Sequence, residues 1–250
     1  MGNIPRTLLQ MPTWAYAKGP DGIYVNQFVG STITVENVAG ADVEMVQQTN
    51  YPWDGAVSIT VNPKGGARRM TLRVRVPDRE TSALYASTPK AAGLTSLALN
   101  GAAVKPKIEH GYAVITRTWA PGDRVELEIP LPTQRVRAAE RVEADRGKVA
   151  LRRGPIVFNV EKVDVGDIEK AIAADAPLTA AWRPDLLHGV MTLQGAFADG
   201  SPLVAIPNYA RMNREPAPPP QAAVPPNTPP AQRPPPPPVA SLVWITEATA

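Results

Sequence analysis

The chain of 250 residues contains no cysteine. Without a thiol it forms no disulfide, offers no thiolate nucleophile and holds no metal through cysteine. Histidine is almost as scarce. His110 and His188 are the only two, and neither has a second ligand at metal-binding spacing. The same shortage argues against a Ser–His–Asp triad, and no serine stands in a nucleophile-elbow context. No glycine-rich loop follows a strand and opens a helix, so a phosphate cradle is excluded, and Gly65-Gly66 is a turn. No run approaches the roughly 18 apolar residues of a membrane span. Residues 1–20 lack the basic start and apolar core of a signal peptide, so the chain reads as soluble, with its compartment left open. Basic residues number 26 and acidic residues 23. These charges alternate along strand patterns instead of forming a basic run, and Arg68-Arg69 and Arg152-Arg153 read as strand ends. Neither nucleic acid nor membrane is an expected partner.

Proline, by contrast, is abundant. There are 29, and 13 of them lie between Pro216 and Pro238. Such a stretch has few backbone donors and no apolar face, so it is expected to be a disordered insert, residues 215–239, with polyproline II character. The plainer reading is a spacer. A ligand for a proline-reading domain is the minor alternative, carried only by Arg233 beside Pro234.

Outside the insert the pattern is that of β-structure. Arg124 to Ile129 alternates polar and apolar residues with period two, putting Val125, Leu127 and Ile129 on one face. Ala120-Pro121-Gly122-Asp123 supplies the turn before it, and Pro130 and Pro132 stop it. Similar strands are expected at Ile23–Val29, Thr32–Val38, Val43–Thr49, Ala56–Asn62, Arg69–Val76, Leu94–Leu99, Lys107–His110 and Tyr112–Arg117. The Asn100-Gly101 pair marks a hairpin whose flanks pair directly. Further strands are expected at Val149–Arg152, Ile156–Glu161, Val190–Phe197, Leu203–Ile206 and Ser241–Thr246. Ile168–Ala174 suits a short helix, and Gln134–Glu143 reads equally as strand or arm. The expected fold is all-β: two antiparallel β-sandwich-like units, residues 21–133 and 134–250, preceded by one short helix within residues 1–20. In that helix Asn3 caps, Pro5 fits the first turn, and Ile4, Leu8, Leu9 and Met11 form an apolar stripe that lacks a partner.

The candidates for chemistry are few. Glu126 and Glu128 share a face, but it is the solvent face of an amphipathic strand, and no residue is assigned as catalytic. Tyr51-Pro52-Trp53-Asp54-Gly55 is the most chemical group, since aromatic faces and a carboxylate bind sugars; the plainer alternative is a corner anchored by a buried Trp.

Three segments in order carry a family resemblance: Trp119-x-x-Gly122-Asp123, then Leu127-x-Ile129-Pro130-Leu131, then Asp145-x-Gly147-x-Val149-Ala150-Leu151-x-x-Gly154-Pro155-Ile156-Val157. They resemble the C-terminal β-sandwich region of glycoside hydrolase family 127, the β-L-arabinofuranosidases. The likeness extends to Gly22–Ser31, Thr49–Gly55, Leu72–Pro77, Ala205–Arg214 and Val243–Ile245. It departs at Arg79, Asn208, Arg211 and Met212. The resemblance implies an (α/α)6 barrel ahead of the sandwiches and a retaining mechanism with a zinc-bound cysteine nucleophile in a Cys-Cys-x-x-Asn segment. Asn3 matches the Asn of that segment, placing both cysteines immediately upstream of Met1. On that basis the chain is the non-catalytic β part of an arabinofuranoside hydrolase, inactive alone. It holds no cofactor or metal itself, although zinc is expected in the full-length enzyme, and its partner is the missing barrel. Two rivals remain: one half of a split glycosidase, or a free-standing carbohydrate-binding module using Tyr51, Trp53 and Asp54.

Overall fold

The fold is that of a computed structural model, which describes residues 3–78, 80, 82–214 and 239–248. The family departure at Arg79 and nearly all of the expected insert, residues 215–238, lie outside the described residues. The architecture is all-β, and the chain divides into two compact units: Met1–Ser82 with Lys90–Pro132, and Ala83–Pro89 with Thr133–Ala250.

In the first unit, α1 (Asn3–Gln10) runs into a 3-10 turn, Met11–Trp14. Pro12 cannot extend the α-helical ladder, which fits a change of winding there. Two sheets follow. The first has the order β1 (Tyr16–Gly19), β2 (Gly22–Val25), β6 (Arg68–Arg75), β11 (Tyr112–Trp119), β10 (Lys107–Glu109), and β2 and β6 run parallel. The second has the order β3 (Ser31–Val38), β4 (Ala41–Thr49), β5 (Ala56–Pro63), β12 (Asp123–Glu128), β8 (Ser96–Leu99), β9 (Ala102–Ala103). The period-two residues of both sheets build one core. Val125 and Leu127 join Val57, Ile59, Leu72, Val74 and the fully buried Trp119, whose indole Nε1 donates to the Met70 carbonyl at 3.2 Å. The turn 120–123 carries the chain from β11 in one sheet to β12 in the other.

Two strand expectations need correction here. The strand over Ile23–Val29 stops at Val25, because the Asn26 and Gln27 N–H groups both donate to Ala15 O (2.8 and 3.3 Å) and turn the chain out of the sheet. Asn100 and Gly101 do form a turn with positive φ, 49° and 80°, and their flanks pair as β8 with β9. The segment Lys107–Glu109, however, pairs with β11 in the other sheet.

The second unit is built on one extended sheet. Its order is β16 (Ile172–Ala173), β21 (Trp244–Ala248), β14 (Lys148–Arg153), β15 (Ile156–Glu161), β19 (Pro202–Pro207), β18 (Val190–Ala196), β17 (Thr179–Arg183). Three strands lie off that path: β13 (Thr133–Ala138) beside β14, β20 (Ser241–Leu242) beside β15, and β7 (Tyr85–Thr88) beside β13. Val149, Leu151, Phe158, Val160, Leu193, Leu203 and Ile245 form its core. The helix expected at Ile168–Ala174 is absent. Ile168 and Ile172 are both buried, but Ile172 pairs with Glu247 of β21 and Ala171 O accepts from the Ala198 N–H. The apolar spacing that suits a helix is met here by an irregular segment. A single turn, α2 (Lys162–Val165), lies just ahead of it.

An ion cluster fixes the chain on either side of residues 215–238. Arg214 donates to Glu161 at 2.7 Å and to both oxygens of Asp164. The second Glu161 oxygen accepts from the Met212 N–H at 2.6 Å. Asn159, fully buried, donates to Ser241 Oγ at 3.0 Å. Asp164 above all, with Glu161, holds the Arg214 guanidinium pKa well above its ordinary value, as expected for charge-assisted hydrogen bonds.

Candidate saccharide groove in the first unit

The loop that ends β2 builds the most chemical surface of the first unit. Its geometry is set from beneath by Gln47, which is 2% exposed although it continues the apolar face of β4 that Val43 and Met45 begin. Gln47 Nε2 lies within donor distance of the Gln27 and Val29 carbonyls, 3.1 and 2.9 Å, and of Tyr16 Oη, 3.1 Å. Ser31 Oγ donates to Val29 O at 2.8 Å and lies 2.9 Å from Tyr16 Oη. Burial pushes the Tyr16 hydroxyl pKa up, against the lowering pull of its bonds with Ser31 and Gln47. These buried polar groups form a connected network, which fixes the backbone of residues 27–29.

Asn26 is held at both ends of its amide. Its Nδ2 donates to Trp14 O at 3.2 Å, and its Oδ1 accepts from Tyr112 Oη at 2.9 Å. Tyr112 stands edge-on to Tyr24 at 5.3 Å. Two arginines lie over these rings, Arg73 over Tyr24 at 4.9 Å and Arg75 over Tyr112 at 5.7 Å. They differ in charge pairing. Arg73 is taken by Asp21 through two bonds of 2.8 and 2.9 Å, whereas Arg75 makes no ion pair among the described residues.

Between this loop and the end of β6 lies an open groove of about 630 Å³, lined by Asn26, Gln27, Phe28, Tyr51, Arg75 and Asp78 among others. Tyr51 meets Phe28 edge-to-face at 5.8 Å.

The three residues singled out from the sequence are thus divided. Tyr51 lines the groove. Trp53 does not; it is half-buried in the following turn, where its backbone N–H donates to Asn50 O at 2.8 Å. The fully buried tryptophan of this unit is Trp119. Asp54 is exposed and accepts from the Ala56 N–H at 3.1 Å. It borders a separate depression with Glu126 and Glu128, on the outer face of the second sheet. Asn3 lies in α1. Sequence reading missed Arg75, Asn26 and Gln47. Arg75 and Arg73 look identical in the alternation of β6, and only the position of Asp21 separates them.

The two histidines sit at positive-φ turn positions, with φ of 50° at His110 and 64° at His188, and both are exposed. Among the described residues no group of three or more His, Asp or Glu side chains could hold a metal ion.

Comparison with known proteins agrees with this architecture. Residues 22–131 match the profile of the beta-L-arabinofuranosidase GH127 middle domain, and residues 133–219 that of the glycoside hydrolase family 127 C-terminal domain. A non-reducing end beta-L-arabinofuranosidase from Bifidobacterium longum is 30% identical over 200 residues, covering 76% of this chain and 28% of the relative. The crystal structure of a GH127 beta-L-arabinofuranosidase from Geobacillus stearothermophilus superposes with a TM-score of 0.75 at 31% identity, covering 98% of this chain and 37% of that one. A second solved GH127 beta-arabinofuranosidase gives 0.79 at 24% identity, a likeness of fold. The chain therefore spans little more than a quarter to two fifths of the relatives it matches. Both matches are to domains of one family, and the chain belongs to glycoside hydrolase family 127.

Proposed function

We propose that this chain supplies the two non-catalytic β units of a glycoside hydrolase acting on β-L-arabinofuranosides. Cleavage is carried out by residues outside these 250. The observation that carries this reading is the match of residues 22–131 and 133–219 to middle and C-terminal domains of relatives more than twice as long. The composition supports it. The zinc-thiolate site that the family resemblance implies does not fit this chain, which has no cysteine and, among its described residues, no metal-binding group. The two carboxylates that share a face, Glu126 and Glu128, lie on an open sheet surface, where nothing excludes water from a reacting bond.

The role left to these units is support of the catalytic part, an (α/α)6 barrel by the family resemblance, supplied by the same polypeptide or by a second chain. Its docking surface on the first unit is α1. Ile4, Leu8 and Leu9 there are 72, 60 and 80% exposed, with Met11 and Trp14 next to them at 43 and 48%. Five large apolar side chains exposed on 11 consecutive residues are more than a solvated surface usually keeps.

Hydrolysis of a chromogenic β-L-arabinofuranoside tests the reading. The purified chain is expected to release no more chromophore than buffer does. Addition of a polypeptide carrying the part of the Bifidobacterium relative outside the match is expected to give zinc-dependent release. Turnover by the chain alone would overturn the proposal.

A further inference from the structure

We propose that the groove beside residues 26–29 of the first unit is a saccharide-binding subsite, with Tyr51, Arg75 and Asp78 as its contacts. The inference goes beyond the supporting role above, because it assigns a ligand to this chain's own residues wherever hydrolysis takes place.

A sugar ring presents hydroxyls that both donate and accept, together with a patch of C–H groups. Recognition calls for donors, acceptors and an aromatic surface in one place. Arg75 provides the donors. Its guanidinium rests on Tyr112 and, unlike Arg73, has no carboxylate partner among the described residues. Asp78 is exposed, and one of its oxygens accepts from the Glu80 N–H at 3.1 Å, which leaves the other for a ligand hydroxyl. Tyr51 provides the ring, held edge-on by Phe28. Asn26, whose oxygen and nitrogen are each already engaged once, keeps one N–H and one lone pair.

Size and charge narrow the class. A volume of about 630 Å³ lies within the range of small-ligand sites. One cation and one carboxylate cancel, so a neutral polyol suits the lining better than a phosphate or an amine. Preorganisation is the second argument. The amide of Gln47, 2% exposed, is spent on the carbonyls of residues 27 and 29, and Asn26 is clamped at both ends. A loop held this firmly from below loses little freedom when a ligand binds above it.

The test titrates the full chain with methyl β-L-arabinofuranoside, L-arabinose and methyl β-D-xylopyranoside, read by saturation-transfer NMR and calorimetry. Binding of at least one of the three is expected in the millimolar range, as for a site of a few hydrogen bonds. Arg75→Gln and Tyr51→Leu are each expected to weaken it about tenfold or more, and Asp78→Asn several-fold. Glu126→Gln, on the outer face of the other sheet, is expected to leave it unchanged. Tyr51 packs on Phe28, so its variant is judged only if its melting curve matches the parent's. Arg75 and Asp78 are exposed, and their variants carry the test in any case. The subsite is refuted if none of the three sugars binds up to about 50 mM, or if binding persists unchanged in both Arg75→Gln and Asp78→Asn. Neither result bears on the supporting role, which is read by hydrolysis in the presence of the catalytic part.

Discussion

At the scale of single residues, the first unit shows how neighbouring identical side chains acquire different duties. Asp21 holds Arg73 in two hydrogen bonds, and that arginine keeps the Asp21 carboxyl at about 2, below its ordinary 3.8. A depressed carboxylate pKa stabilises the fold above the ordinary value, and this contribution is lost as pH falls from about 4 to about 2. Asp21 is 54% exposed, so the contribution is small, and the pKa itself is the quantity to measure. Carboxyl NMR is expected to place the Asp21 midpoint near 2 and to move it to the ordinary range in Arg73→Ala. Gly55 gives a steric prediction. A Cβ there would lie 2.1 Å from Ile129 O, and Gly55 O also accepts from the Ile129 N–H at 2.9 Å. Two backbones in such close contact leave no flexible atom to yield, so Gly55→Ala is expected to cost about 1–3 kcal/mol in urea unfolding. Of the Tyr51–Gly55 motif, the sequence made the chemical types legible but not their directions. A turn of five residues points Tyr51 and Asp54 at different depressions, and nothing in the order of the letters records that.

Among the elements, legibility followed periodicity. β4, β5, β6 and β12 alternate cleanly, and each is found within two residues of its expected bounds. β1 and β7 have only four residues each, too short for alternation to stand out from the surrounding turns. The segment around Ile168 and Ile172 carries a helix-like spacing that tertiary pairing with β21 overrides. α1 is the reverse case, a pattern that formed as expected and whose apolar side has solvent in place of a partner. Because Leu8 and Leu9 are so exposed, the double variant Leu8→Glu, Leu9→Glu is expected to change stability by no more than about 0.5 kcal/mol. The same variant is expected to lower the binding of a hydrophobic dye and to abolish any complementation by the catalytic part. A drop in melting temperature large enough to signal core damage would show that α1 is packed in solution and that the docking proposal is wrong.

For the whole molecule, the informative feature is the placement of β7. Residues 83–89 are embedded in the sequence of the first unit but fold with the second, where β7 covers the edge of β13. Tyr85 stacks on Trp244 at 5.9 Å, Arg152 donates to Ser87 Oγ at 2.8 Å, and Pro89 O accepts from Gln134, a side chain 1% exposed. A chain cut at 133 would lose all three contacts. Loss of the Pro89 acceptor from the buried Gln134 amide alone would cost about 1 kcal/mol, and β13 would present an open edge. Residues 133–250 expressed alone are expected to aggregate or lose near-ultraviolet dichroism. The same segment with residues 83–89 joined back through a linker is expected to stay monomeric. Equal behaviour of the two would mean that β7 is dispensable.

The same strand sets the unit of inheritance. The sequence profile of the middle domain spans residues 22–131 and so contains the seven residues that complete its neighbour. A recombination event at the profile boundary would hand on a middle domain with a stray strand and a C-terminal domain with a missing one. Exchange, duplication or loss of either half alone is therefore expected to carry a folding defect, which would favour inheritance of the pair as one block.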